Sequence, residues 1–246
     1  MDFPLPPPGW RAGLAVGFLF ALLAWETAQP FFPLFGRTAD RAKHGALNFA
    51  LGALNIALVA LVFAGAWLAA TQCAAAHRFG LLNRVELSPW LRVVLAVLLL
   101  DAWTYGWHWL NHRVPFFWRF HRWHHADRAM DVTTASRFHT GEIVLSSLLR
   151  VPVLLAIGCG IGELALYELL LFAIVQFHHA NIALPDRLDR ALRLIVVTPS
   201  VHKVHHSVVR AECDSNFSSL FSWWDRVFRT RRTVADQRRI VFGIGE

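Results

Sequence analysis

Cysteine and charge are both scarce in this chain of 246 residues. Its 3 cysteines show no CxxC spacing and an odd count, so neither a disulfide framework nor a thiolate zinc site is indicated. Charged residues make up 17% of the chain, whereas soluble domains carry about 25%. Residues 45–76 contain no charged side chain, and a stretch of this length crosses a bilayer. Together with 55% hydrophobic residues, these shortages predict an integral membrane protein.

The charge that is present is mostly basic, with a net value of +7, and it lies outside the apolar runs. Basic residues beside membrane segments follow the positive-inside rule, which disfavours nucleic acid as the partner. The amino terminus lacks the basic region of a secretory signal. No internal repeat or low-complexity linker divides the chain. We therefore expect one membrane domain over residues 1–246, with transmembrane helices over about 12–100.

Four apolar segments are predicted, at about residues 12–32, 47–70, 91–110 and 143–177. The fourth is too long for one span, and Gly158, Gly160 and Gly162 predict the turn of a helical hairpin. Their GxGxG spacing, with no strand before it, does not support a nucleotide-binding loop. After Pro185, apolar residues at helical spacing predict a helix on the membrane surface. The fold class is an all-α integral membrane bundle with about four to five apolar segments.

Histidine is concentrated in three short motifs. Eight of the 13 histidines lie in one HxxxH and two HxxHH motifs, at His108/His112, His121/His124/His125 and His202/His205/His206. Residues spaced i, i+3 and i+4 share a helix face, and imidazole suits iron, zinc, copper and nickel. The motifs predict a multinuclear, all-histidine metal site. Because a hairpin returns the chain to its starting face, the sequence predicts that this site lies in a helical cap at one face, the cytosolic one.

The carboxylate motifs of other metalloenzymes are missing. No Glu-x-x-His occurs, which disfavours a soluble-type di-iron bundle, and no HExxH occurs, which disfavours a zinc-dependent membrane hydrolase. A metal transporter places its ligands near the bilayer midplane, whereas these histidines follow the ends of apolar segments. The hydrolase, the transporter and a silent relative that keeps its metal for structure remain the alternatives.

The motifs resemble, in order, those of the fatty acid hydroxylase/sterol desaturase superfamily. The matching runs are DAWTYGWHWLNH at 101–112, WRFHRWHH at 118–125, TASRFHTGE at 134–142, FHHANIALP at 177–185, VTPSVHKVHHS at 197–207, DSNF at 214–217 and WDRVFRT at 224–230. The resemblance covers roughly residues 101–230, the expected catalytic region.

This resemblance implies a non-haem centre of two iron ions at the cytosolic face, which activates O2 against a C–H bond of a lipid such as a fatty acyl chain or sterol. Hydroxylation is favoured over desaturation. The implied ligands are His108, His112, His121, His124, His125, His179, His202, His205 and His206. His139 is implied as a tenth ligand, although Thr140 replaces the proline that usually follows it in the family.

Asp101 lies seven residues before His108 and shares its helix face, so we expect it to orient a ligand. The resemblance implies four further residues that orient imidazoles or fasten the carboxy-terminal segment: Asn181, Asp214, Asn216 and Asp225. For Asp101, a structural hydrogen bond to Tyr105 or to a neighbouring helix is the equal alternative; for Asp225, a helix cap or an arginine ion pair. His178 is expected to lie outside the ligand set, and His44 and His77 to be loop or interface histidines.

Substrate and electrons must both reach this site. A lipid entering from the bilayer requires a channel between the apolar helices, and we expect residues near Trp103, Trp107 and Phe172 to line it. The chain has no haem-binding or dinucleotide motif, so a separate ferredoxin or cytochrome is the expected donor. Its docking surface is predicted at Arg113, Arg119, Arg122 and 226–232, unless these arginines contact lipid headgroups. The expected location is a bacterial inner membrane.

Overall fold

The structure, a computed structural model, describes residues 8–245 and is all-helical apart from two isolated β-bridges within that range. The long helices are α1 (Pro8–Ala28), α2 (Thr38–Leu58), α3 (Ala64–Ala76), α4 (Pro89–Arg113), α5 (Pro115–His125), α6 (Thr140–Ile157) and α7 (Ile161–His179). The short helices are α8 (Asp186–Leu192), α9 (Pro199–His205), α10 (Arg210–Cys213) and α11 (Trp223–Val227).

Five helical stretches within residues 8–245 are long and apolar enough to cross a membrane. They are Gly9–Ala28, Thr38–Asn83, Pro89–Arg113, Thr140–Ile157 and Ile161–His179. The second is longer than predicted because α2 continues into α3 through one π-helical turn, Val59–Phe63. Apolar side chains such as Ile56 and Leu61 are 69% and 85% exposed, which suits a surface covered by lipid. The predicted membrane bundle of four to five apolar segments is confirmed.

The predicted hairpin is formed by α6 and α7. Gly158 ends α6 in the left-handed conformation, with φ 74°, which glycine adopts without steric cost. A Cβ at Gly158 would also lie 2.8 Å from the Phe79 carbonyl oxygen, so the loop before α4 packs directly on this turn. Gly160 precedes α7, whereas Gly162 lies inside its first turn. The hairpin therefore returns α7 to the end of the bundle where α6 began.

A core between α3, α4, α6 and α7 sets how these helices align. Its members include Ala96, Leu100, Leu154 and Tyr167, none more than 1% exposed. Helices α4 and α7 pack in the same direction, since Arg92 near the start of α4 pairs with Glu163 in the first turn of α7. Their carboxyl-terminal ends, with His112 and His179, therefore lie at the same end of the bundle. The short helices α8 to α11 and α5 cover that end, which is the predicted helical cap.

The membrane-surface helix predicted after Pro185 is short. α8 has no buried residue and ends at Leu192, and Ile195 lies beyond it in an irregular segment. Leu194 and Ile195 remain 58% and 53% exposed. The apolar residues after Pro185 therefore lie on an exposed surface, as predicted. The helix itself is shorter than predicted, since its two turns end at Leu192.

A candidate metal centre built from two histidine groups

Nine histidines meet at the capped end of the bundle, in two adjacent groups. The five-histidine group consists of His108, His112, His121, His125 and His205; the four-histidine group consists of His124, His179, His202 and His206. In each group, every ring offers one nitrogen, and these nitrogens all lie within 4.8 Å of one another. All nine are at most 9% exposed. The groups touch, since the rings of His125 and His206 stack with centroids 4.4 Å apart.

The two HxxHH motifs divide their rings between the groups in opposite ways. In α5, His121 and His125 enter the five-histidine group, while His124 enters the other. In α9 and the residue after it, His202 and His206 enter the four-histidine group, while His205 enters the five-histidine group. The i and i+4 rings of a helix point the same way and the i+3 ring is rotated from them. Each motif thus serves both groups at once.

In four of the nine rings, the outer nitrogen, Nδ1, lies next to a backbone acceptor that fixes the tautomer. The Nδ1 atoms of His108, His205, His179 and His124 lie 2.8, 2.7, 2.8 and 3.3 Å from backbone carbonyl oxygens. A carbonyl only accepts, so each Nδ1 carries the proton and each Nε2 presents a lone pair. The Nε2 atoms of His108, His112 and His205 are buried and have no hydrogen-bond partner.

The inner nitrogens face one another at close range. Nε2 of His179 lies 3.1 Å from Nε2 of His124 and 3.1 Å from Nε2 of His202, and Nε2 of His121 lies 3.2 Å from Nε2 of His125. Because the protons of His124 and His179 are held at Nδ1, their opposed Nε2 lone pairs repel unless a cation lies between them. Imidazoles bound to a metal at about 2.1 Å would stand about 3.0–3.4 Å apart for octahedral to tetrahedral angles. The residues therefore fit metal ions.

Burial keeps the rings of the cap neutral. It lowers the pKa of His205 to about 3, and lowers the pKa of His124, His125, His202 and His206 well below the ordinary histidine value, with the neighbouring imidazoles adding to the effect. A neutral imidazole is the form that binds metal. The cap thus presents lone pairs at neutral pH.

Polar side chains hold several of the rings from outside. Glu142, at the start of α6, accepts from Nδ1 of His121 at 2.9 Å and from Asn111 at 3.1 Å. Asp214 lies 3.4 Å from Nδ1 of His112, and Cys213 Sγ lies 3.7 Å from Nδ1 of His125. These contacts use the nitrogens that face away from the two groups, so they orient the rings. Carboxylates placed in this way raise the basicity of histidine ligands.

A cavity of about 370 Å³ leads from the histidines into the bundle. Six histidines line its inner end, and the three residues around which the channel was predicted, Trp103, Trp107 and Phe172, line its apolar wall. Leu171 and Val175 of α7 complete that wall. The two histidine groups therefore open into a largely apolar cavity.

The family model described as fatty acid hydroxylase matches residues 93–230, more than half of the chain. The chain belongs to the fatty acid hydroxylase family. The match spans every histidine of both groups, from α4 to the irregular segment after α11.

Relatives within this family oxidise different molecules, according to their names. Alkylglycerol monooxygenase of Homo sapiens is 31% identical over 158 residues, which cover 64% of this chain and 34% of that protein. Ornithine lipid hydroxylase of Rhizobium tropici is 31% identical over 149 residues, 56% of this chain and 41% of that protein. C-4 methylsterol oxidase of Schizosaccharomyces pombe is 29% identical over 173 residues, 67% of this chain and 55% of that protein. The matches thus cover about a third to just over half of these relatives' lengths. No solved structure matches the chain.

The residues predicted to orient the ligands act mostly through the backbone. Asp101 accepts from the backbone N–H groups of Leu220 and Phe221 at 3.3 and 3.0 Å and from Trp224 at 2.8 Å. Asp101 therefore fastens the segment before α11 to α4 and makes no hydrogen bond to His108. This arrangement corresponds to the structural role that the sequence analysis gave as the alternative. Asp225 accepts from the backbone N–H of Phe217 at 2.8 Å, and the carbonyl of Phe217 is the acceptor for His108.

Asn216 and Asn181 also fasten loops. Asn216, with φ 56°, donates to the carbonyls of Val201 and Arg232 at 3.1 and 2.9 Å, so it ties the loop beside His205 to α9. Asn181 donates to the carbonyl of Phe32 at 2.8 Å and holds the end of the α1 loop. Of the five predicted orienting residues, only Asp214 contacts a histidine of the two groups directly within the described residues.

Two further histidines of the motifs lie beside the groups. His139 precedes α6, where its Nδ1 accepts from the backbone N–H of Gly141 at 2.9 Å, and its ring packs on Phe120. The structure does not bring it to either group, because capping the helix turns its ring towards the outer side of α5. His178 is 2% exposed, and its ring centroid lies 3.9 Å from that of His202, so it lies directly beside the four-histidine group and lines the cavity.

Sequence reasoning missed the support beneath His124. His44 lies 2.9 Å from Asp127 and 3.6 Å from Asp131, and Arg137 donates to Asn48 at 3.1 Å. These contacts tie α2 to the segment whose Arg137 carbonyl accepts from His124. Glu142 was also missed as a partner of His121, although the family motif that contains it was a usable signal.

Proposed function

We propose that this chain is a membrane-bound, O2-dependent di-iron enzyme that hydroxylates a C–H bond of a lipid and takes its electrons from a separate donor. The observation that carries the proposal is the pair of adjacent, buried histidine groups, with their Nε2 lone pairs turned inwards, at the end of an apolar cavity. The hydroxylase and monooxygenase names of the relatives support it.

The five-histidine group and the four-histidine group would each hold one iron ion. When bound, two irons supply the activation of O2 that attack on an unactivated C–H bond requires. The chain's own part is to fix the ligands, since the Nδ1 bonds of His108, His205 and His179 to carbonyls lock both tautomer and ring orientation. Such outer partners typically contribute about 10–100-fold in metal affinity or activity.

The cavity wall supplies substrate orientation and keeps water out. Trp107 is 7% exposed and its ring contacts that of Phe117, and Trp103 stacks on Trp107 with centroids 6.3 Å apart. An apolar chain lying along these rings would place one of its carbons beside the histidines. Exclusion of water protects reactive intermediates from side reactions.

The alternatives fit the geometry less well. A hydrolase site uses three protein ligands and an activated water on a catalytic zinc, whereas nine rings converge here. A transporter places its ligands near the midplane, whereas these rings lie at the carboxyl-terminal ends of α4 and α7 and in the cap. We propose the cytosolic face of a bacterial inner membrane as the location of this end, because Arg37, Lys43 and the arginines of α5 lie there.

We further propose where the electron donor docks. A cleft of about 370 Å³ is lined by Trp118, Arg122, Arg210 and Cys213. The Trp118 ring lies 5.0 Å from that of His112 and 5.6 Å from that of His125, so this cleft is a short path from the surface to the five-histidine group. Two arginines favour an acidic ferredoxin or cytochrome.

One arginine of the predicted docking surface, Arg226, makes its hydrogen bonds within the protein. Arg226 donates to the carbonyl oxygens of Arg193 and Leu194, so its guanidinium joins two segments of the cap. The proposed docking surface is therefore the cleft beside Trp118.

Arg122→Glu is expected to raise the KM for an acidic plant-type [2Fe–2S] ferredoxin about tenfold, because a reversed charge opposes an acidic partner. Turnover driven by dithionite should not change. Arg119→Glu, on the same helix but outside the cleft, is the matched control and should have a smaller effect. Equal KM values for wild type and Arg122→Glu would reject the cleft as the docking surface.

The test of the proposed function is metal analysis of detergent-purified protein grown in iron-rich medium, with O2 uptake measured in the presence of reductant and a total lipid extract. We expect about two irons per chain, one for each group, and O2 uptake that lipid stimulates. One firmly bound zinc per chain without O2 uptake would refute the proposal and favour a hydrolase or a structural metal site.

A further inference from the structure

Two opposite charges face each other inside the membrane-spanning hairpin, far from the histidines. Arg150 of α6 and Glu168 of α7 form an ion pair, and both line the cavity that reaches the metal centre. Arg150 follows the start of α6 at Thr140 by ten residues, and Glu168 precedes His179 by eleven. At about 1.5 Å per residue, the pair lies roughly 15 Å from the histidine end. Charged side chains at such depth are rare and mark functional sites.

The arginine is held in place but not saturated. Its guanidinium lies 4.8 Å from the ring centroid of Trp67, and Trp67 is itself fixed by donating to the carbonyl of Ser147 at 3.0 Å. Arginine has five N–H donors, and among the described residues its hydrogen bond is to Glu168. The side chain of Glu168 is 40% exposed. The pair therefore offers both donors and acceptor oxygens to the cavity.

The wall between the pair and the histidines is mainly apolar, and the hydroxyls of Thr104 and Ser146, which also line it, donate to backbone carbonyls of their own helices. Leu171, Phe172 and Val175 follow Glu168 along α7 towards His178, and Trp103 and Trp107 face them from α4. The cavity is thus polar at both ends with an apolar stretch between. A plain alkyl chain reaching the pair would leave unused hydrogen-bonding groups against hydrocarbon, which is unfavourable.

We propose that Arg150 and Glu168 bind a hydroxyl group of the lipid substrate, about 15 Å from the carbon presented to the metal centre. A hydroxyl can accept from Arg150 and donate to Glu168 at once, whereas an ester oxygen can only accept and a carboxylate would be repelled by Glu168. The proposal rests on the proposed function, because it takes the cavity to be the substrate channel.

Binding can be measured without turnover. Wild-type protein in detergent is titrated with octadecane, which has no hydroxyl, and with 1-octadecanol, and quenching of intrinsic tryptophan fluorescence is followed. 1-Octadecanol should bind about 10–100-fold more tightly than octadecane, the range for hydrogen bonds to charged groups. Equal affinities for the two probes in wild type would overturn the proposal.

The matched variant replaces both charges together, Arg150→Met with Glu168→Leu, because removing one partner would leave a lone charge in the membrane. It should bind octadecane at least as well as wild type and lose the preference for 1-octadecanol. A preference that persists in the double variant would show that the hydroxyl is recognised elsewhere, and would overturn the assignment. Should the double variant not fold, the comparison in wild type decides alone.

The outcome is separable from that of the proposed function. A preference for 1-octadecanol over octadecane in a protein that takes up no O2 would support the recognition site while rejecting the reaction. Lipid-stimulated O2 uptake without that preference would support the reaction while rejecting the recognition site, leaving the ion pair as a bridge between α6 and α7.

Discussion

Replacing His124 with alanine should deplete one iron site, and replacing its neighbour His125 should deplete the other. The two residues are adjacent in α5, but their rings lie in different groups. Each variant is expected to retain about one iron per chain and to lose activity by more than the roughly 100-fold that removal of an outer partner costs.

Mössbauer spectroscopy of the 57Fe-loaded protein distinguishes the sites, because groups of five and four histidines should give different quadrupole doublets. His124→Ala should weaken one doublet and His125→Ala the other. His206→Ala should weaken the same doublet as His124→Ala, because both rings lie in the four-histidine group. His205→Ala should weaken the same doublet as His125→Ala, because both rings lie in the five-histidine group. His139→Ala, outside both groups, is the control and should keep both doublets. Loss of the same doublet in His124→Ala and His125→Ala would disprove the division into two sites.

The second large effect is expected at Asp225, which touches no histidine. Its carboxylate accepts from the backbone N–H groups of Phe217 and Ser218 at 2.8 and 3.1 Å and from the hydroxyl of Thr230 at 2.7 Å. Asp225→Ala leaves these buried donors without their partner, so the free energy of unfolding should fall by about 3 kcal/mol. Because the carbonyl of Phe217 holds His108, iron affinity should also fall about 10–100-fold.

Thermal unfolding in detergent and iron retention against a chelator measure these two effects. Asp236→Ala is a matched control, since Asp236 is 52% exposed and pairs with Arg239 on the surface; its stability should stay within about 0.5 kcal/mol of wild type. If Asp225→Ala behaved like Asp236→Ala, the loop that carries Phe217 would not depend on this carboxylate.

The contrast between His139 and Glu142 shows what a local sequence motif can and cannot predict. Both lie in one short run before and at the start of α6, and the family resemblance suggested the histidine as a ligand. In the structure His139 caps the helix, whereas Glu142, one turn later, bonds to His121 across 21 residues of sequence. The spacing within the run is compatible with either arrangement, and only the packing of α6 on α5 selects one.

The sequence by itself determined the elements and the chemistry of the ligands. Long stretches without charge require helices in a membrane, because backbone polar groups there must bond within their own segment. The HxxxH and HxxHH spacings place rings on common helix faces, since helical periodicity is local. Gly158 predicted the hairpin turn on equally local grounds, because glycine adopts a left-handed φ without steric cost.

Tertiary structure alone decided which ring enters which histidine group and what lies along the cavity. The division of each HxxHH motif depends on how α5 and α9 face each other, and the tautomers of His205 and His108 depend on carbonyls 10 and 109 residues away in the chain. Asp101 and Asp225 hold the cap through backbone groups that no motif identifies. Arg150 and Glu168 meet only because the hairpin folds α7 back along α6. Contacts between distant segments follow from packing geometry, which the local pattern of residues does not contain.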